Sequence, residues 1–353
     1  MKNLLITGGC GFIGSNLAIG LLREGYSVTC FDNLSRRGTE YLLKRIQEHG
    51  CKFVFGDIRN VEDFGKLKER YDVLIECSAE PSVLVGSEGS EARYIINNNL
   101  VGSINCFEFA REKVMPVLFL STSRVYPYSS INSYKFLEDE TRYIPSENRQ
   151  GISKKGVSVD FPLNGYRSLY GATKLASEYI LQEYSINYGM SSIINRCGVI
   201  AGPWQLGKID QGVFAYWMVN HYFKKELTYI GFGGKGKQVR DLLHIDDLVE
   251  LVKKQLVKIN DYKGTVFNAG GSVQSSLSLL ETTTLCREIT GNVVNVSSEL
   301  KNRPADIIWY ITDNSVTEQE FLWKPQKMPK DILTDVFTWL HANEQAFKQL
   351  WKT

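Results

Sequence analysis

Residues 6–15 read ITGGCGFIGS, a glycine cluster set between an apolar run and a segment of helical period. No other feature of the chain restricts its fold as much. Gly9, Gly11 and Gly14 satisfy GxGxxG, while Gly8, Gly11 and Gly14 satisfy GxxGxxG. Glycines so placed allow a tight turn and let backbone N–H groups and a helix N-terminus approach a pyrophosphate. Such a cluster alone is weak, because loops also collect glycine for packing. Here the context is right on both sides: a strand-like run, Leu4 to Thr7, precedes it and a helical pattern follows. About 20 residues on, where a dinucleotide-binding unit places its ribose acceptor, the second apolar run ends at Asp32. That carboxylate favours NAD, since it repels a 2′-phosphate, although Arg36 and Arg37 follow closely.

Short apolar runs at Leu4–Thr7, Val28–Phe31, Phe53–Phe55, Val73–Cys77 and Val117–Ser121 alternate with helical-period segments over residues 1–126. They lack polar alternation, as strands of a parallel sheet covered on both faces do. The expected fold is therefore α/β, a doubly wound parallel sheet occupying residues 1–200. Residues 127–167 interrupt it with a stretch rich in Tyr, Ser, Asn, Lys and Gly that shows no clear period. An insertion this long is usually functional or disordered. From 201 to 353 the pieces become aromatic and glycine-rich and end on an amphipathic helix, Asp331 to Lys352. These residues are expected to form a smaller, partly interleaved α/β lobe for substrate.

Composition removes several function classes. The 41 basic and 39 acidic residues leave a net charge of +2, and no long basic run concentrates it. Nucleic acid and membrane surfaces are thus not expected partners. The N-terminal stretch is too short and glycine-interrupted for a signal sequence, and no apolar run approaches the ~20 residues that span a bilayer. Seven scattered cysteines without CxxC spacing, and only four histidines, argue against a disulfide framework or a metal site. A cytoplasmic location is expected.

RSLYGATKLASEYI, residues 167–180, sets Tyr170 and Lys174 one helical turn apart and hence on one face. A nearby ammonium favours phenolate and lowers a tyrosine pKa from its usual value near ~10. Beside a nicotinamide, such a phenol can take the proton of a substrate hydroxyl as hydride leaves its carbon. An isolated YxxxK is a common accident; downstream of a dinucleotide loop and five strand candidates it reads as chemistry. The third participant is expected at the carboxyl end of a neighbouring strand. Ser121, Thr122 and Ser123 supply hydroxyls there, either to hold the reacting oxygen or merely to cap the turn. GDIRN offers Asp57 and Ile58 as an adenine clamp, with a helix N-cap as the other reading of Asp57. Glu80 is either a second proton-handling or sugar-binding group, or a plain polar contact.

Taken together, TGGCGFIG, Asp32, STSRVY, YGATK and the late RDLLH segment resemble the extended short-chain dehydrogenase/reductases, the NAD-dependent epimerase/dehydratase family, acting on nucleotide sugars. The likeness spans essentially the whole chain. It implies a Rossmann fold, bound NAD, a nucleotide-diphosphate sugar as substrate and a homodimer. It places the catalytic roles on Thr122, Tyr170 and Lys174. Cofactor contacts fall by the same resemblance on Gly8, Gly11, Phe12, Ile13, Gly14, Asp32, Asn33, Ser35, Arg36, Asp57, Ile58, Ser78, Ala79, Asn99, Ser121, Tyr170 and Lys174. Substrate contacts fall on Glu80, Ser123, Arg124, Lys237, Arg240 and Arg303, the arginine forks suiting phosphate oxygens. Family dehydratases carry Thr-Asp-Glu where this chain has Thr122-Ser123-Arg124, which disfavours elimination. Arg124, FDNLSR, GDIRN, DQGVF (Asp210 to Phe214), GKQVRDLLH and LSLLE are most similar to the branch that inverts C2 of CDP-deoxyhexoses; the 4-epimerases share the apparatus.

Overall fold

The computed structural model describes residues 2–86, 91–205 and 212–351. Asp210 and Gln211 of the DQGVF stretch lie outside the described residues. The chain forms two compact units, one of residues 1–125, 169–196 and 248–267, the other of 126–168, 197–247 and 268–353.

The first unit is built on a seven-stranded sheet. Its strands are β1 (Asn3–Thr7), β2 (Ser27–Asp32), β3 (Lys52–Phe55), β4 (Val73–Glu76), β5 (Val117–Thr122), β6 (Ser192–Cys197) and β7 (Lys263–Ala269). The spatial order is β7-β6-β5-β4-β1-β2-β3. From β3 through β2, β1 and β4 to β5 every neighbouring pair is parallel, as the unbroken apolar runs predict. Strand order reverses between β1 and β4, and open α/β sheets bind ligands outside the carboxyl ends at such a switch point. Three helices matter for the site: α1 (Phe12–Arg23), α2 (Gly102–Glu112) and α3 (Leu169–Asn187). Leu5, Phe31, Leu74, Phe107, Phe119 and Ile194 form part of one buried cluster in this unit.

The second unit has no long sheet. Val239–His244 is its central strand, parallel to Val199–Ala201 and Trp309–Tyr310 and antiparallel to Ser276–Ser278. Leu227–Ile230 pairs separately with Val296–Glu299. Phe214, Trp217, Leu333 and Leu340 help to fill its core. The helix Leu279–Thr290 starts with a capping box between Ser278 and Glu281 and ends at Gly291 in the left-handed region.

The units exchange chain at more points than residue 200. Residues 126–168 belong to the second unit, where 127–167 hold a short helix, Tyr128–Asn132, and two small antiparallel hairpins. Residues 248–267 return to the first unit because β7 completes the edge of its sheet beyond β6. The final amphipathic pattern forms two helices, Pro329–Ala342 and Glu344–Trp351, where one was expected.

Candidate active site

The glycine loop joins β1 to α1. Gly8 sits at φ +64°, and a Cβ there would stand 2.9 Å from the Ser78 backbone. At Gly14 a Cβ would come 2.2 Å from the Gly8 carbonyl oxygen, so loop and helix touch only because neither residue has a side chain. Gly11 is the N-cap of α1 and offers no side-chain acceptor, leaving the first-turn N–H groups for an anion. Phe12 and Ile13 open that turn.

Asp32 ends β2 beside this loop. Its Oδ2 accepts from the Cys10 N–H at 3.0 Å, and its Oδ1 from the Leu34 N–H at 2.8 Å. Burial raises its pKa, while those N–H groups and the Arg36 charge oppose the rise. Asn33 donates to Asp57 at 2.9 Å and accepts from the Ser35 N–H at 3.1 Å. Burial also pushes Asp57 up, but hydrogen bonds from Arg59 and Asn33 prevail and hold it at about 2. Ile58 is buried, its carbonyl fixed by Asn105 on α2. The adenine-side residues named from sequence therefore form one connected edge.

Asp32→Asn keeps the shape and removes the charge. NAD affinity is expected to fall about tenfold or more, since hydrogen bonds to charged groups contribute about 1.5–3 kcal/mol. Discrimination against NADP should shrink as well. Fluorescence titration with NADH and NADPH checks both, and unchanged affinities for the two would remove Asp32 from the ribose.

On α3, Tyr170, Lys174 and Glu178 follow one another at i, i+4, and all three are buried. A helix face buried against a sheet is ordinarily apolar, so hydrophobic packing does not account for this one. Glu178 accepts from Ser121 at the end of β5, and Arg196 of β6 grips it from 2.7 Å. Ser121 is thus held from behind by a buried ion pair. Thr122 closes β5 and accepts from the Arg124 N–H at 3.2 Å, with Ser123 buried in the turn between them. Lys174 is 1% exposed; its Nζ lies 3.5 Å from Glu76 of β4 and 4.0 Å from the Phe119 ring centroid. At that separation neither the ammonium nor the carboxylate completes a hydrogen bond among the described residues.

Ser78 and Ala79 follow β4 and are half-buried beside the loop. Asn99, fully buried in the π-helical turn Ile96–Val101, clasps the Glu80 backbone by donating to its carbonyl at 2.9 Å and accepting its N–H at 2.8 Å. The Glu80 side chain accepts from the Ser82 N–H at 3.2 Å.

In the second unit, Arg240 is buried on the central strand and donates to Asp306 at 2.8 Å. The Arg303 carbonyl accepts from the Asp306 N–H at 3.3 Å in the turn that leads to this aspartate. Lys237 pairs with Glu138 at 2.9 Å and donates to the Asp139 carbonyl. Three first-unit residues escaped the sequence reading: Glu76, Glu178 and Arg196. Continuing the i, i+4 register past Lys174 finds Glu178, and a carboxylate inside the otherwise apolar run VLIEC marks Glu76.

These residues suit a bound dinucleotide. The loop leaves no room for side chains where a pyrophosphate would approach, and a buried lysine nitrogen retains unused donors for ribose hydroxyls. Residues 4–270 match the model of the "NAD dependent epimerase/dehydratase family". CDP-paratose 2-epimerase of Salmonella typhi is 30% identical over 346 residues, 95% of this chain and 98% of that one. A UDP-glucose 4-epimerase of Neisseria meningitidis is 27% identical, covering 98% and 99%. Among solved structures, UDP-glucuronic acid 4-epimerase from Bacillus cereus, in complex with UDP-glucuronic acid and NAD, superposes with a TM-score of 0.78 at 24% identity, covering 99% and 100%. The glycine loop, the acid at the end of β2 and the Tyr170–Lys174 face thus stand on a chain that belongs to the NAD-dependent epimerase/dehydratase family, enzymes whose cofactor is NAD.

Proposed function

We propose that this enzyme inverts C2 of a CDP-deoxyhexose through a transient keto sugar. The observation that carries this reading is the pairing of a buried Tyr170–Lys174 face with a strand end, Thr122-Ser123-Arg124, that has a hydroxyl but no carboxylate. Elimination of water needs acid and base beyond the tyrosine, and the dehydratase acids are missing there. The 30% identity to a CDP-paratose 2-epimerase over nearly the full length supports the choice of carbon and nucleotide.

Bound NAD supplies a reversible hydride acceptor. Gly8, Gly11 and Gly14 would seat its pyrophosphate, Asp32 would hold its adenosine ribose and Lys174 its nicotinamide ribose. Thr122 Oγ1 orients the sugar hydroxyl, and Tyr170 Oη takes the proton of that hydroxyl, helped by the ammonium one turn along. The same phenol returns the proton after the keto sugar presents its other face. Arg240 and Arg303 are assigned the substrate diphosphate. Lys237, Arg124, Ser123 and Glu80 are assigned sugar or nucleotide contacts. We further assign the enzyme to the cytoplasm, and to a homodimer formed through α3 and the helical segment 97–113; the exposure of Tyr179 and Ile186 on α3 supports the dimer.

NMR of the purified enzyme incubated with CDP-, UDP- and dTDP-hexoses tests the reading. Inversion at C2 of a CDP-deoxyhexose without net NADH is expected. Inversion at C4 of a UDP-sugar would assign the protein to the 4-epimerases, and loss of water to the dehydratases; either result overturns the proposal.

A further inference from the structure

A charged residue in the middle of this sheet needs a reason. Glu76 ends β4, 0% exposed, in register with Thr7 of β1 on one side and Phe119 of β5 on the other. Residues in register on adjacent strands point to the same face. Glu76 and Phe119 therefore form one surface beneath α3, and Lys174 rests on it, 3.5 Å from the carboxylate and 4.0 Å from the ring. Nothing in the proton transfer described above uses Glu76, and an apolar residue would fill the strand without having to desolvate a charge.

We propose that Glu76 is a positioning residue of the proton-transfer apparatus, the counter-ion that fixes the charge and rotamer of Lys174 and, through Lys174, the acidity of Tyr170. The proposal rests on the reading of Tyr170 as proton carrier.

Among the described residues two titratable groups sense this carboxylate, beside the Ser78 N–H. One is Lys174 on α3; the other is the Cys106 thiol on α2, which burial and then Glu76 push well up, so it stays neutral. Burial likewise raises Glu76 itself, with Lys174 opposing. The relevant charges are then one anion, one cation and the phenol a turn away on the cation's helix. The base is created when the Tyr170 phenol gives up its proton, and an anion behind the lysine on the same helix face disfavours that loss. Removing the anion must let the proton leave at lower pH.

Glu76→Gln, which keeps size and removes charge, tests this in the NAD-loaded enzyme. The acid limb of the pH–rate profile is expected to move down by about one pH unit. The ¹³Cζ resonance of Tyr170, assigned by its loss in Tyr170→Phe, should titrate earlier by a similar amount. Glu76→Asp keeps the charge farther away and should move both in the same direction by less; it carries the test if the glutamine variant does not fold. A folded, NAD-binding variant whose limb and resonance stay at the parental pH, or move upward, overturns the proposal and leaves Glu76 a structural residue. The resonance needs no sugar turnover, so its answer stands even if the proposed substrate is wrong.

Discussion

Tyr170→Phe is expected to lower epimerisation by about 10²–10⁴-fold, the range that a positioned proton carrier contributes, while NAD stays bound. The side chain is 9% exposed on the face of α3 that also carries Lys174. Phenylalanine keeps the ring that fills this space, so packing is preserved and the hydroxyl alone is lost. Without it the sugar hydroxyl has no acceptor for its proton as its carbon is oxidised. The same deletion removes the donor needed on the return step, so both directions slow together. Thr122 cannot take over, because an alcohol without an activating base holds its proton far above working pH. Steady-state rates by NMR, with NAD content measured on the denatured protein, check the two halves separately. A variant that retains parental turnover would remove Tyr170 from the chemistry. One that loses its NAD would show that the phenol serves mainly to hold the cofactor.

The sequence is legible where one local pattern has one physical cause. The glycine loop could be read because Gly8 and Gly14 answer to steric demands made within a few residues. Tyr170 and Lys174 could be read because helical period alone puts them on one face. The strands β1, β2, β4 and β5 show as apolar runs since they are buried almost throughout. Groupings made by tertiary return were not legible. β7 comes back to the first sheet after a long excursion through the second unit, and no residue of KGTVFNA announces which sheet it joins. The 127–167 stretch showed no period because its hairpin strands are only two or three residues long, too short for one. Glu76 was hidden for a different reason: its partner is distant in sequence, so VLIEC reads as a strand with an accidental acid. Pairing Lys237 with Glu138 and Arg240 with Asp306 likewise depended on contacts that no local spacing encodes.

Lys174→Met should be strongly destabilising, and its damage should depend on pH. Methionine keeps an unbranched apolar side chain but takes the ammonium off the Phe119 ring and leaves Glu76 without its cation, in a place where the carboxylate is 0% exposed. Breaking a buried pair by removing one partner costs about 3–5 kcal/mol, because the remaining charge stays desolvated. The sign of the pH dependence follows from the direction of the Glu76 shift. Burial already raises this carboxyl above its ordinary value, with Lys174 as the main opposing influence, and the variant loses the opposition. A carboxyl raised on folding favours the native state below its unfolded pKa, near ~4.3, and that advantage is lost as pH rises through the folded value. The gap in melting temperature between parent and Lys174→Met should therefore be small near about pH 5 and wide near about pH 8. Adding Glu76→Gln to Lys174→Met removes both charges and should recover most of the loss at the higher pH. Calorimetry of the two single variants, the double variant and the parent at both pH values closes the cycle. A gap that ignores pH, or a double variant no more stable than Lys174→Met, would mean that water or another group already neutralises Glu76. On the proposed roles, activity should not be recovered by the second change, since the ammonium assigned to the phenolate and to the nicotinamide ribose is still missing. Stability regained without catalysis would separate the two roles of Lys174: one answers to Glu76 behind it, the other to Tyr170 on its own helix.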